Sequence, residues 1–237
     1  MGTPTFQFKQ FTIAHDRCAM KVGTDGVLVG AWSQLPARGR LLDVGTGTGL
    51  IALMVAQRSP ASFVTGIDII PEAVEQAREN VAASPFADRI EIRLQSLQAI
   101  AAAGQSFDAI ICNPPFFAET LLPPDFSRSI ARHTQEGSLT FGELAACSAR
   151  LLADGGSLSV ILPTSAFDSF RLLCFAQGLF LQRSCLVQGT PRKAPKRVLA
   201  TFVKGEATWT PEKPLILNDG ERRTDDYAAL THDFYLW

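Results

Sequence analysis

The sequence predicts an α/β fold: a mainly parallel sheet with helices on both faces, closed near its end by an antiparallel hairpin. Strand-length apolar runs alternate with longer helical runs between residues 40 and 163, the pattern of βα units whose strands are buried on both faces. A glycine-rich turn, DVGTGTGL (43–50), stands between the first run and the first helix. The run ending IICNPPFF (110–117) breaks at a double proline, which cannot continue a central strand because proline lacks the N–H that the ladder needs.

RLLDV (40–44) reads as the first core strand, and LIALMVAQ (50–57) as a helix packed on the sheet. FVTGIDI (63–69) is a second strand. PEAVEQARENVAAS (71–84) is a helix that opens at Pro71 with Glu72 in its first turn, since proline at the first helical position sacrifices no hydrogen bond. RIEIRL (89–94) and FDAIICN (107–113) follow as strands, FGELAACSARLLADGG (141–156) as a helix ending at its glycines, and SLSVILP (157–163) as a strand. FLQRSCLVQ (180–188) and RVLATFVK (197–204) flank a proline- and lysine-rich loop and form the hairpin.

At 237 residues, 46% of them hydrophobic, the chain is long enough for one sizeable core. Without repeats or a linker it reads as one domain, 1–237, in which residues 1–36 form an N-terminal lid or extension and 37–237 the core. Cys18, Cys112, Cys147, Cys174 and Cys185 are scattered and never paired as Cys-x-x-Cys, which argues against a disulfide framework and against a zinc site. No metal is expected. No apolar stretch approaches membrane-spanning length and MGTPTFQFKQF lacks a signal-peptide pattern, so a cytoplasmic protein is expected. A formal charge of −1 gives no global attraction to polyanions; a nucleic-acid partner would need a local basic patch.

Gly45, Gly47 and Gly49 let the backbone turn tightly and approach a ligand, with a helix N-terminus at hand. The spacing is G-x-G-x-G, preceded by Asp43, whereas a dinucleotide site usually shows G-x-G-x-x-G. Asp68, at the end of the second strand, is placed to accept hydrogen bonds from both hydroxyls of a ribose. A nicotinamide or flavin site competes with this reading, as does a purely structural turn.

The glycine motif, the acidic residue after the second strand and the N-P-P-F motif after the fourth occur in the order that resembles the class I S-adenosylmethionine-dependent methyltransferases. The resemblance implies a Rossmann-like fold, a mainly parallel seven-stranded sheet with a C-terminal antiparallel hairpin and helices on both faces, with S-adenosylmethionine as cofactor and S-adenosylhomocysteine as product. It places Gly45, Gly47 and Gly49 against the cofactor, Asp43 near its methionine end and Asp68 on its ribose. Gln95 and Ser96 stand where an acidic residue commonly grips the adenine; the Ser96 hydroxyl or the Leu97 N–H would serve there.

By the same resemblance Asn113, Pro114, Pro115 and Phe116 are catalytic, with Asn113 also touching the cofactor. An exocyclic amine is a poor nucleophile because its lone pair is delocalised into the ring. The Asn113 side-chain oxygen and the Pro114 carbonyl would accept its two N–H bonds and favour rehybridisation, while Phe116, with Phe117 as the alternative, stacks on the base. The motif serves enzymes acting on adenine N6 and on the glutamine amide of release factors. FKQFTIAHDRCAMKVGTDGVLVGAW (8–32), ARHTQEGSLTFGEL (131–144), PKRVLATF (195–202) and YAALTHDFYLW (227–237) resemble the bacterial tRNA(Val) adenine-N6 methyltransferase family, which modifies the adenine 3′ of the anticodon. A release-factor glutamine methyltransferase and a non-catalytic RNA-binding relative are the alternatives. In related enzymes the segment containing Lys21, Gly23, Thr24 and Asp25 covers the methionine part; Asp25 also reads as a helix N-cap. His15, His133 and His232 read as structural residues or RNA contacts rather than bases.

Arg183, Arg192, Lys193, Lys196, Arg197 and Lys204 lie in a stretch with no acidic residue. Such a run is either a solvated hairpin tip or a phosphate-binding loop. Beside an adenine pocket, Arg192, Lys193, Lys196 and Arg197 become the RNA contacts, holding a tRNA(Val) anticodon stem-loop whose target base is already single-stranded.

Overall fold

A computed structural model describes residues 4–18, 21–114 and 139–236. Pro115, Phe116, Phe117 and His133 lie outside the described residues. A short antiparallel pair, β1 (Thr5–Gln7) and β2 (Thr12–Ala14), precedes α1 (Thr24–Trp32). All seven core strands read from the sequence form: β3 (Arg40–Val44), β4 (Phe63–Asp68), β5 (Ile90–Leu94), β6 (Phe107–Cys112), β7 (Leu152–Pro163), β8 (Leu179–Gln188) and β9 (Arg197–Lys204). Strand β3 pairs in parallel with both β4 and β6, β4 with β5, and β6 with β7; β9 runs antiparallel between β7 and β8.

Among the described residues the sheet gains two further strands at its β8 edge, β10 (Thr210–Pro211) and β11 (Leu215–Ile216). Two-residue strands carry no readable periodicity, so the sequence alone suggests seven strands where nine pair. Both run parallel to β8 and cover an edge that would otherwise present unpaired N–H and C=O groups.

Side-chain alternation along the strands divides the core into two layers. Leu41, Val64, Ala109 and Ile111 pack with α1, α2 (Leu50–Arg58) and α3 (Pro71–Ala82). Leu42, Ile67, Ile110 and Cys112 pack with α4 (Leu97–Ala102), α5 (Phe141–Leu151) and α6 (Thr164–Ala176) on the other face. Phe8, Phe11 and Ile13 belong to the first layer. Phe8 stacks on Phe11 and on Tyr235 with ring centroids 4.8 and 5.7 Å apart, so the two ends of the chain share one core.

The helix expected over 141–156 stops at Leu151, and β7 begins at the next residue. Thr140 and Glu143 close a reciprocal capping box at its start. The glycines do not cap it. Leu152 is paired with Phe107 and Ser157 with Ala109, so residues 153–156 bulge out opposite Asp108 alone. Gly155 adopts φ +76° there, a conformation costly for any residue with a Cβ. The Lys204 ammonium donates to the Leu152 carbonyl at 2.8 Å and steadies the bulge.

Because β3 to β7 are parallel, their C-terminal ends share one edge, and antiparallel β9 starts there, with Arg197 opposite Pro163. The chain order reverses at β3, which lies between β4 and β6; such switch points open a crevice at the carboxyl ends of strands. Among the described residues no helix is long and apolar enough to cross a membrane, and no group of three or more His, Cys, Asp or Glu could hold a metal ion.

Candidate functional site

The crevice is lined first by the glycine turn after β3. Gly45 and Gly47 have φ of +69° and +52°. A Cβ on either would meet nothing within 4 Å, so the backbone presents a bare surface toward open space. The Thr46 N–H donates to the Ile67 carbonyl at 2.9 Å, tying the turn to β4.

Asp43 is fully buried under the turn. Its Oδ2 accepts from the Thr46 hydroxyl at 2.6 Å and from the Ala52 N–H at 3.1 Å. Its Oδ1 is buried with no partner among the described residues. Burial pushes the carboxyl up to about 7 despite these two bonds, with a smaller push from the Asp68 charge. Asp43 is thus a buried acid that ionises near neutrality, where a cationic ligand would favour its carboxylate.

Asp68 ends β4 as expected, and it also holds the turn in shape. Its Oδ2 accepts from the Gly47 N–H at 2.9 Å and its Oδ1 from the Ile70 N–H at 3.1 Å. Each oxygen keeps acceptor capacity for a ligand hydroxyl. Ile69, Ile70 and Leu94 beside it are large apolar residues left 48, 45 and 52% exposed. Sequence reasoning passed over these three; the available signal was apolar residues at and just beyond strand ends, where a flat ring could lie. Ser96 is the N-cap of α4, accepting from the Ala99 N–H at 3.2 Å, which leaves its hydroxyl proton to donate.

Val44 is opposite Cys112 in the β3–β6 pair, so Gly45 and Asn113 leave the sheet side by side. Asn113 is half-buried and Pro114 buried. The side-chain oxygen of Asn113 is shielded from solvent and has no hydrogen-bond partner among the described residues, a costly condition for an amide carbonyl unless something supplies a donor. Pro115 and Phe116, also expected here, are outside the described residues.

Lys21 and Gly23 are exposed ahead of α1, and Thr24, its first residue, is exposed too. Gly23, with φ −121°, takes the N-cap position that the sequence suggests for Asp25. Asp25 sits one step inside the helix, where its carboxylate accepts from Arg197 Nε at 2.8 Å. Arg197, expected to contact RNA, also braces the hairpin against α1. Two other cations of the basic stretch are similarly engaged. Arg183 lies over the Trp32 ring at 3.9 Å and bonds Glu212 at 2.7 Å, and Lys204 holds the β7 bulge. Arg192, Lys193 and Lys196 are exposed at the hairpin tip. The tip is fastened by Gln188 Nε2 donating to the Lys193 carbonyl at 2.8 Å and by the Lys196 N–H donating to Val187 at 3.1 Å.

Sheet order and glycine turn together give the class I methyltransferase fold. The same fold occurs in a predicted O-methyltransferase from Agrobacterium tumefaciens, 23% identical with a TM-score of 0.69 over 89% of this chain and 96% of that one. It occurs also in the Thermus thermophilus 16S rRNA N2 G1207 methyltransferase, solved with AdoMet and guanosine, 16% identical with a TM-score of 0.59 over 85% of this chain and 50% of that one. The chain belongs to the methyltransferase small domain family, which matches residues 22–166, and within it to the tRNA1(Val) (adenine(37)-N6)-methyltransferases. Members from Bacteroides fragilis and Phocaeicola vulgatus are 44 and 46% identical, each over 100% of this chain and 99% of their own. The Pseudoalteromonas translucida member is 45% identical over 98% of both chains.

Proposed function

We propose that this chain transfers a methyl group from S-adenosylmethionine to the N6 amine of adenine-37, beside the anticodon of tRNA(Val), as a cytoplasmic single-domain enzyme whose residues 1–36 cover the site. The observation that carries this reading is the Asn113 side-chain oxygen: a buried acceptor without a donor among the described residues, side by side with a bare glycine turn.

The residues fit the cofactor. Gly45 and Gly47 present backbone that any Cβ would obstruct. Asp68 has lone pairs left for two ribose hydroxyls, and the unpartnered Asp43 Oδ1 suits the positive end of an amino acid. Ser96, the Leu97 N–H and the apolar Ile69 would take the adenine, with Lys21, Gly23 and Thr24 over the methionine end. When bound, S-adenosylmethionine supplies a methyl group on a positively charged sulfur, electrophilic enough for a neutral amine.

This chain's part is to hold the acceptor. Asn113 Oδ1 and the Pro114 carbonyl accept the two N–H bonds of the adenine amine, which directs its lone pair away from the ring. Phe116 supplies the stacking face. No strong base is needed, since the amine proton becomes acidic as the new bond forms and leaves to water. Alignment is the main contribution, at most about 7–11 kcal/mol for well-oriented reactants. Arg192, Lys193 and Lys196 attract the phosphates of the stem-loop to the edge of the sheet that carries Asn113.

Mass spectrometry of nucleosides and of tryptic peptides, after incubation with isotopically labelled cofactor, tests the reading. N6-methyladenine in tRNA is expected. A methylated glutamine with no modified nucleoside would overturn it.

A further inference from the structure

Two buried amides on α3 are unused by the proposed chemistry, yet they connect its parts. Asn80 lies 4% exposed and Gln76, one turn earlier, is fully buried. Asn80 Oδ1 accepts from the Ala14 N–H at 2.9 Å while its Nδ2 donates to the Ala14 carbonyl at 2.9 Å. The side chain thus treats Ala14 as a neighbouring strand would. The same Nδ2 donates to the Thr48 carbonyl at 2.9 Å, between Gly47 and Gly49. One amide therefore joins the N-terminal segment to the glycine turn, across sequence separations of 66 and 32 residues.

Gln76 extends the connection. Its Oε1 accepts from the Arg17 N–H at 2.8 Å, and the Arg17 guanidinium reaches Glu79 and Glu75 on the same helix. Residues 14–17 are thereby laid along α3 beside the turn. Cys18 follows, close enough to Asp68 that the carboxylate adds to the effect of burial, which pushes its thiol up to about 11. The chain then leads to Lys21–Thr24 and to α1, whose Asp25 is fastened to Arg197.

We infer that Asn80, assisted by Gln76, is a positioning residue for the cofactor site: it fixes the N-terminal cover and the glycine turn relative to one another. Loss of its amide weakens cofactor binding while the chemical step, once the site is filled, proceeds at its normal rate. This rests on the glycine turn being the S-adenosylmethionine site. The amide is suited to the task because it donates twice and accepts once. A carboxylate at position 80 would keep the acceptor for the Ala14 N–H and oppose both the Ala14 and Thr48 carbonyls.

The test uses the full chain with Asn80→Asp and, as a milder change that keeps helix propensity and volume, Gln76→Met. Calorimetry gives the Kd for S-adenosylmethionine, hydrogen exchange by mass spectrometry reads residues 5–18, and single turnover at saturating cofactor reads chemistry. Asn80→Asp should raise the Kd about tenfold or more, as two buried hydrogen bonds are lost. It should speed exchange in 5–18 and leave the saturated rate within about twofold, since only interactions gained in the transition state alter that step. Gln76→Met should move the Kd and exchange in the same direction by less, and it decides the matter if Asn80→Asp does not fold. A wild-type Kd alongside faster exchange would reduce the pair to a structural role, and unchanged exchange would remove the link altogether. If the wild-type protein fails to bind S-adenosylmethionine, the cofactor assignment falls and takes the positioning role with it, even where exchange shows that the link exists.

Discussion

Asp43 and Asn113 stand near the ends of adjacent parallel strands, yet their surroundings differ in how many of their acceptors are bonded. On the β3–β4 side, most acceptors are already bonded within the protein, although Asp43 Oδ1 has no partner among the described residues. Both Asp68 oxygens hold backbone N–H groups, and Asp43 Oδ2 holds a hydroxyl and an N–H. At Asn113 the acceptor oxygen has no partner among the described residues, and the cations at the hairpin tip are exposed. A small ligand of fixed shape is best met by a rigid cradle, whose ordering is complete before binding. A macromolecular substrate brings its own donors and phosphates, so its side of the site can leave groups unsatisfied until it arrives.

The largest effect should come from the unsatisfied side. Asn113→Ala removes an acceptor that matters most as the amine rehybridises, so the single-turnover methylation rate on an anticodon stem-loop should fall about 10²–10³-fold, by analogy with loss of one transition-state hydrogen bond. Binding of cofactor and of RNA should weaken far less than the rate falls. A wild-type rate would end the acceptor-pair mechanism, and with it the contrast between the two sides.

On the bonded side the cost should appear in affinity. Asp68→Ala removes a carboxylate partner of the Gly47 N–H as well as the ribose acceptor. Charge-assisted bonds contribute about 1.5–3 kcal/mol each, so the Kd for S-adenosylmethionine should rise by about 10–100-fold with loss of the first alone. Unchanged calorimetric affinity would show that the cradle is not where the cofactor binds.

The basic hairpin allows a finer division. Reversing Arg192, Lys193 and Lys196 to Glu should weaken tRNA binding and flatten its dependence on salt, by about 0.7–0.9 of a log unit per log unit of salt for each phosphate no longer neutralised. Cofactor affinity should be unaffected. Arg197→Met, which breaks the brace to Asp25, should leave most of the salt slope intact. Filter binding across a salt series distinguishes them, and equal slopes for both variants would contradict the division between tip and brace.

A separate effect, read on stability rather than on activity, concerns pH. Asp43 ionises at an ordinary 3.8 when unfolded and at about 7 in the fold, so folding takes up a proton between those values. Its contribution to stability is complete below pH about 4 and is lost as pH rises toward 7. Asp43→Asn keeps an oxygen for Thr46 and Ala52 and should remove this component, giving a flatter Tm profile between pH 5 and 8 than the wild type. Parallel profiles would place the titration elsewhere.

The sequence by itself determined the order of βα units, the glycine turn, the acidic residue that ends β4 and the break at Asn113. These are local facts: periodicity, proline's missing N–H and glycine's access to positive φ act within a few residues. Only the tertiary structure decided which groups are spent. Arg183, Arg197 and Lys204 look alike beside Arg192, Lys193 and Lys196 in the sequence. The fold gives Arg183 the Trp32 ring and Glu212, Arg197 an aspartate 172 residues away, and Lys204 the carbonyl at the start of a bulge. Asn80 and Gln76 likewise read as ordinary polar positions on a helix until the N-terminal segment is laid against them. A side chain's chemistry is written in the chain, but its partner is chosen by whichever distant backbone the packing brings within about 3 Å.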